Sequence, residues 1–481
     1  MKRHGTSHLS AVVLALSILI LIPSMTAMAQ DAQSTQKMKE SYVVPEEDDV
    51  REHVTRWQDY KFGMFIHWGI YSEIGVIESW SLVPQPVSWM YRPRRERSMS
   101  YNEYVDFYHN LYRSFYPFHF NPSEWAEAAS YAGMKYMVFT TKHHDGFCMF
   151  DTKATDYKVT SKDCPYGRTS HPNIAKEVFQ AFREKGIMPG AYFSVADWHH
   201  QDYWWDFFPP KDTKINYPVK DFPEKWERFQ DFLVQQVGEL TDGTYGDLEM
   251  LWFDLCHPTE DGSAEVPWDR MASVARANQP GIMMVARGTG GKYENYKTPE
   301  QTIPEEALDC PWESCITMTG SWSYRPGWAY KSTREILNIL VKVVSRGGSL
   351  LLNVGPRPDG TLEDEAYERL HEIGDWMQVN SDAIYGTKAW STCQDGKVCF
   401  TSKGETVYAF YMAGEGEEGL PSEITFGGVN PSGSITMLGY DKPLKWKRNA
   451  DGRITVIIPQ KLRDRLPCQH IWTLKMNGTK E

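Results

Sequence analysis

The chain has no apolar run of the ~20 residues that a membrane-spanning helix needs. Its longest such stretch, Val12 to Pro23, is too short. It has no excess of basic charge. The formal charge is −12, and about −14 once Lys2 and Arg3 are removed with the leader. That disfavours a nucleic-acid partner, for which a basic face is expected. None of the eight cysteines forms a C-x-x-C pair, so zinc-ribbon and thioredoxin-like readings are weak. There is no H-x-H or H-E-x-x-H. No G-x-G-x-x-G follows the first strand, which lowers an open dinucleotide-binding sheet. Gly347 to Pro356 is glycine-rich but lacks G-x-x-x-x-G-K-[ST], so it reads as a tight strand–helix corner.

What is present begins with an export signal. Lys2 and Arg3 precede the apolar run, and Ala27-Met28-Ala29 fits a small-x-small cleavage site. Residues 1–29 are therefore expected to be a signal peptide and 30–44 a polar, disordered leader. The mature chain is expected to be periplasmic or extracellular, and not membrane-inserted. Export permits disulfides. Cys393 and Cys399 flank Asp395-Gly396; a two-residue turn there pairs Cys393 with Val398 and puts Cys399 on the opposite face, against a bridge.

From about residue 57 to 377, strand-like and helix-like segments alternate. The expected strands are Lys61 to Trp68, Tyr136 to Thr141, Met188 to Val195, Met250 to Asp254, Ile282 to Arg287, one entered at Glu313, and Leu350 to Val354. Expected helices include one at Pro122 capped by Asn121, one over Ala264 to Ala277, and one opened by the capping box Ser332-Thr333-Arg334-Glu335. Repeated βα units argue for an α/β fold closed into a (β/α)₈-like barrel over residues 45–385. Short strands punctuated by Gly, Pro and Asp-Gly follow, and predict an all-β sandwich over 386–481.

In such a barrel the strand C-termini converge on one face, where active sites are built. Leu251-Trp252-Phe253-Asp254 is an apolar strand ending in a carboxylate, costly unless it is paired or has a job. His67, His143, His144 and Arg287 end other strands. A glycosidic bond would need a second carboxylate. Glu300 and Glu313 both compete for that place, and spacing does not choose. The three histidines suit metal ligation or hydrogen bonding to substrate hydroxyls. Adjacent strand residues point to opposite faces, which favours a core role for one of His143 and His144.

Taken together, several blocks resemble the α-L-fucosidases of glycoside hydrolase family 29. They are Lys61-Phe62-Gly63-Met64-Phe65-Ile66-His67-Trp68-Gly69-Ile70-Tyr71-Ser72, Lys142-His143-His144-Asp145-Gly146-Phe147, Leu251-Trp252-Phe253-Asp254, Leu351-Leu352-Asn353-Val354-Gly355-Pro356-Arg357-Pro358-Asp359-Gly360 and Asn380-Ser381-Asp382-Ala383-Ile384-Tyr385-Gly386-Thr387. The resemblance implies an exo-acting, retaining hydrolase of fucosylated oligosaccharides or glycoconjugates, with a barrel, a C-terminal β-sandwich and no metal or organic cofactor. It matches Asp254 to the nucleophile. Glu300, in Thr298-Pro299-Glu300, looks like the acid/base of the branch that cleaves α-1,3 and α-1,4 linkages, with Glu313 as runner-up. His67, His143, His144, Tyr192, Trp252 and Arg287 match sugar-binding positions. Many members carry Glu-Trp after the first strand; the nearest match here is Ser88-Trp89, which makes Trp89 the expected pocket wall, while Glu78 and Trp80 lie upstream. Alternatives are a broad or α-1,2-active fucosidase, a carbohydrate-binding barrel without chemistry, and a metallohydrolase.

Overall fold

The structure is a computed structural model and describes residues 38, 40–84, 98–414, 416–417, 419–477 and 479–480. The expected signal peptide, leader residues 30–37 and Trp89 lie outside the described residues. Among the described residues, no helix is long and apolar enough to cross a membrane.

Seven apolar segments form one parallel sheet among the described residues: β1 (Phe62–Ile66), β2 (Tyr136–Lys142), β3 (Met188–Ser194), β4 (Met250–Asp254), β5 (Met283–Ala286), β6 (Glu313–Thr317) and β7 (Ser349–Val354). Their order is β5-β4-β3-β2-β1-β7-β6. They are buried almost throughout, as a parallel sheet covered by helices requires. The helices are α1 (Asp48–Tyr60), α2 (Tyr101–His109), α3 (Pro122–Tyr131), α4 (Ile174–Glu184), α5 (Pro223–Thr241), α6 (Trp268–Asn278), α7 (Thr333–Ser345) and α8 (Asp364–Asn380). The Asn121 side chain caps α3, and Ser332 with Glu335 closes the capping box of α7. Helix α6 starts at Trp268, later than Ala264, because Pro267 disfavours helical backbone at Val266.

The barrel is TIM-like, but its regular strands number seven rather than eight. Between β5 and β6, residues 294–301 make only isolated bridges: Val285 with Glu294 antiparallel, Lys297 with Trp312 and Glu300 with Cys315 parallel. Pro299 has no N–H to give a ladder, and Gly288, Gly290 and Gly291 turn the chain at positive φ just before it. The barrel thus closes through an irregular seam that carries Glu300.

Ser41, near the end of the expected leader, contacts this seam. Ser41 O accepts from Gly291 N at 3.1 Å, and Lys297 Nζ donates to Ser41 Oγ at 2.8 Å.

The C-terminal domain is antiparallel: β8 (Lys388–Asp395), β9 (Val398–Lys403), β10 (Thr406–Met412), β11 (Glu423–Phe426), β12 (Asn430–Pro431), β13 (Ile435–Met437), β14 (Tyr440–Arg448), β15 (Ile454–Ile457), β16 (Ile471–Met476) and β17 (Thr479–Lys480). Eight of these strands form one sheet in the order β11-β15-β14-β13-β16-β10-β9-β8. Its β8–β9 register pairs Asp395 with Val398 and Gln394 with Cys399, one residue away from the sequence expectation. Gly396, at φ 59, takes the first central position of the turn, where a glycine at positive φ fits best. All eight cysteines are free. Trp376 Nε1 on α8 donates to Ile471 O at 2.8 Å and Thr473 Oγ1 to Asn380 Oδ1 at 2.7 Å, which ties the domain to the barrel.

Candidate active site

The C-terminal ends of the strands enclose a cavity of about 200 Å³. His67 follows β1, His143 and His144 follow β2, Tyr192 lies on β3, Trp252 and Asp254 on β4, Arg287 just after β5 and Glu300 on the seam; all line the cavity. Both histidines of the pair reach it, contrary to strand alternation, because β2 ends at Lys142 and the chain bends there. Their rings are 3.9 Å apart. Tyr192 stacks on His143 and Trp252 with centroids 5.5 Å away in each case, so aromatic faces form one side of the cavity.

Asp254 sits among donors. Its Oδ1 accepts from Arg287 Nη1 and from Leu255 N, both at 2.9 Å, and its Oδ2 accepts from the Tyr192 hydroxyl at 2.9 Å. His144 Nε2 is 3.8 Å from Oδ2. Burial works to raise its pKa, but the Arg287 charge, His144 and these hydrogen bonds outweigh it and hold the carboxyl below its ordinary range. It is an ionised carboxylate at neutral pH, oriented on both oxygens. Burial moves the three histidines the other way: His67 down to about 3, His144 to about 4, and His143 well below its usual value.

Glu300 differs in kind. Its side chain is 43% exposed, and its Oε2 accepts from Arg287 Nη2 at 2.6 Å. One guanidinium therefore bridges the two carboxylates, while also lying 4.6 Å from the Trp252 ring centre. The residues after both carboxylates, Leu255 at φ 48 and Gln301 at φ 53, are left-handed without being glycine. Such strain costs ~1–3 kcal/mol per residue and clusters at functional sites.

Glu313, the competing glutamate, does not line the cavity. It is fully buried behind Trp252, accepting from Trp252 Nε1 at 3.0 Å, Tyr136 OH at 2.6 Å and Tyr296 OH at 3.4 Å. Burial pushes its carboxyl up to about 7. It holds Trp252 in place and does not reach a ligand.

The sequence expectation for the wall after β1 was Trp89, which lies outside the described residues; among the described residues Glu78 and Trp80 occupy that side of the cavity, with Trp322 and Phe65. Glu78 is fully buried at φ 32; its Oε1 accepts from Ser323 N at 2.5 Å, and its Oε2 has no hydrogen-bond partner among the described residues. Burial pushes this carboxyl up to about 8, so a proton stays on it at neutral pH. The signal was present as Glu78-Ser79-Trp80, one residue wider than Glu-Trp. Trp322, on the loop after β6, had no sequence signal.

A second cavity of about 520 Å³ shares Asp254, Leu255 and Arg287 with the first and continues past Lys214, His257, Thr298 and Thr302. A larger groove of about 780 Å³ lies between α8 and the C-terminal domain, and none of the strand-end groups reaches it. Among the described residues, no group of three or more His, Cys, Asp or Glu is arranged to hold a metal ion.

The family model described as Alpha-L-fucosidase matches residues 28–382, and that of the Alpha-L-fucosidase C-terminal domain matches 392–477. Tissue alpha-L-fucosidase of Bos taurus is 32% identical over 441 residues, covering 88% of each chain. The structure of alpha-L-fucosidase isoenzyme 1 from Paenibacillus thiaminolyticus superposes with a TM-score of 0.73 at 28% identity, over 90% of this chain and all of the other. The alpha-fucosidase of Thermotoga maritima, solved in complex with fucose, gives 0.68 at 29% identity, over 90% and 100%. With most of the chain matched by one family and the same two-domain fold in solved relatives, the chain belongs to the α-L-fucosidases and is a glycoside hydrolase.

Proposed function

We propose that this fucosidase releases terminal α-L-fucose by double displacement, with Asp254 as nucleophile and Glu300 as acid/base, and prefers α-1,3- and α-1,4-linked fucose on branched acceptors. The observation that carries the mechanism is the Arg287 bridge between an oriented, ionised Asp254 and a half-exposed Glu300. A single guanidinium spanning both carboxylates fits the ~5–5.5 Å separation of retaining enzymes.

In the first step an Asp254 oxygen attacks the anomeric carbon. The bond from that carbon to the leaving oxygen breaks, and Glu300 protonates that oxygen. The products are the free acceptor and a fucosyl ester on Asp254. In the second step water attacks the same carbon, the Glu300 carboxylate takes its proton, and Asp254 leaves as carboxylate. Two inversions retain the configuration. The Glu300 carboxyl is engaged by Arg287 at 2.6 Å and not by the substrate. Glu300 must therefore turn from Arg287 to the leaving oxygen as the sugar enters, and its exposure on the irregular seam allows that.

A cavity of about 200 Å³ with a closed floor suits one terminal sugar, which supports exo action. The Thr298-Pro299-Glu300-Gln301 resemblance supports the linkage preference, and the adjoining 520 Å³ space suits a branched acceptor. Lys2 to Ala29 supports export, to periplasmic or extracellular glycans. The test is a product profile on fucosylated oligosaccharides that differ only in linkage. Faster release from a simple α-1,2 disaccharide than from Lewis-type trisaccharides overturns the preference.

A further inference from the structure

We infer that His67 and His144 are both held in the Nδ1–H tautomer, so that the wall facing the sugar presents a bare Nε2 acceptor at each of these two rings. Asn353 and Ser194 are the positioning residues that set this pattern. The inference rests on reading the 200 Å³ cavity as the sugar site.

A neutral imidazole has one N–H and one bare nitrogen. The partner on the outer nitrogen decides what the inner one offers. Burial keeps all three rings neutral. His67 Nδ1 lies 2.6 Å from Asn353 Oδ1. The amide cannot be turned round, because Asn353 Nδ2 donates to Trp322 O at 2.6 Å. Nδ1 therefore carries the proton, and His67 Nε2 is bare.

His144 Nδ1 lies 2.7 Å from Ser194 Oγ. The single hydroxyl proton of Ser194 goes to Ala196 O at 2.7 Å. Ser194 Oγ must then accept from His144 Nδ1–H, which leaves Nε2 bare. That nitrogen is buried with no hydrogen-bond partner among the described residues, and the atom facing it, Asp254 Oδ2, is itself an acceptor. A donor on a ligand satisfies it.

His143 is the exception. Its Nδ1 lies 2.6 Å from Ser79 Oγ, and that oxygen already accepts from Asp145 N at 2.9 Å. Asp145 is fixed in turn by the Tyr108 hydroxyl at 2.7 Å and by Phe147 N at 3.0 Å. The Ser79 hydroxyl has the Asp145 carboxyl as well as His143 Nδ1 to donate to, so its partners do not fix the tautomer of His143.

The consequence is a rule for substrates. A sugar hydroxyl over His67 or His144 has to donate. Fluorine in place of a hydroxyl can only accept, so it is not tolerated over either ring.

The experiment is long-range ¹H–¹⁵N correlation spectroscopy of the full-length mature enzyme labelled with ¹⁵N-histidine, assigned by His67→Gln, His143→Gln and His144→Gln. Near neutral pH, His67 and His144 should both show the Nδ1–H pattern. Ser194→Ala should move only His144 toward a tautomer mixture. It should also raise KM for an aryl α-L-fucoside by about three- to tenfold, the worth of one hydrogen bond, with kcat within about twofold. An Nε2–H pattern or a protonated ring at His67 or His144, or unchanged His144 signals in Ser194→Ala, would overturn the inference. Titration with L-fucose tests the underlying site separately: shifts confined to other histidines would remove the site assignment and leave the tautomers standing.

Discussion

The two walls of the cavity are built on different principles. On one side, β1 to β4 end in His67, His143, His144, Tyr192 and Asp254, each locked by a partner on a neighbouring strand or loop. On the other, Arg287 and Glu300 sit where the barrel lacks a regular strand. The Asp254 side chain is 21% exposed and that of Glu300 43%. A nucleophile and the groups that orient a sugar work best when fixed, and strand ends fix them. An acid/base has to serve the leaving oxygen and then water, and rests on Arg287 between turnovers. The seam suits the second task as the strand ends suit the first.

The comparison breaks most sharply at Asp254. Asp254→Ala should lower kcat by on the order of 10³-fold or more while the chain still folds, since no second group takes over a lost nucleophile. Retained activity in a steady-state assay would show that the rigid wall carries no nucleophile.

The next effect separates the two glutamates. Glu300→Ala should lose about 10²- to 10⁴-fold on oligosaccharides and much less on activated aryl fucosides, which need little protonation. Azide should restore its turnover and yield α-fucosyl azide. Glu313→Ala should show no such rescue. It should instead lose ~1–3 kcal/mol of stability in denaturant unfolding, because Trp252 and Tyr136 lose a buried acceptor. Azide rescue of Glu313→Ala alone would move the acid/base off the seam.

The smallest effect is one of pH. The Glu78 carboxyl rises from 4.5 to about 8 on folding. Between those values the folded chain holds a proton that the unfolded chain releases, so this group's contribution to stability is present at acid pH and lost as pH rises toward 8. Glu78→Gln cannot lose a proton. Its melting temperature relative to the wild type should therefore climb from about pH 5 to about pH 8, the window of that shift. A flat difference across that range would mean that Glu78 is already ionised in the folded chain.

The rigid wall was readable in the sequence and the seam much less so. Apolar runs ending in Asp254 or a histidine mark strand ends, because burial of a polar terminus needs a reason. The blocks around His67, His143 and Asp254 carried the family resemblance. Residues 294–301 have no periodicity, since isolated bridges impose none, and the sequence marks no strand there. Helix α1 was missed because its buried stripe is only Val50, Val54 and Trp57 in an otherwise polar segment. Spacing alone could not separate Glu313 from Glu300; its three hydrogen-bond donors do, and they come from side chains on other strands and loops. The turn at Gly396 slipped by one residue because Asp-Gly fits two hairpin registers, and only the pairing of β8 with β9 chooses.

The most direct measurement is to trap the glycosyl-enzyme. A 2-deoxy-2-fluoro-L-fucosyl fluoride slows both steps through the electron-withdrawing fluorine at C2, while its good leaving group lets the first proceed. Peptide mass mapping after incubation should find one fluorofucosyl group on Asp254, in the wild type and in Glu300→Ala alike. A label on Glu300, Glu313 or any other residue, or no covalent species in an enzyme that turns over fucosides, would contradict the account.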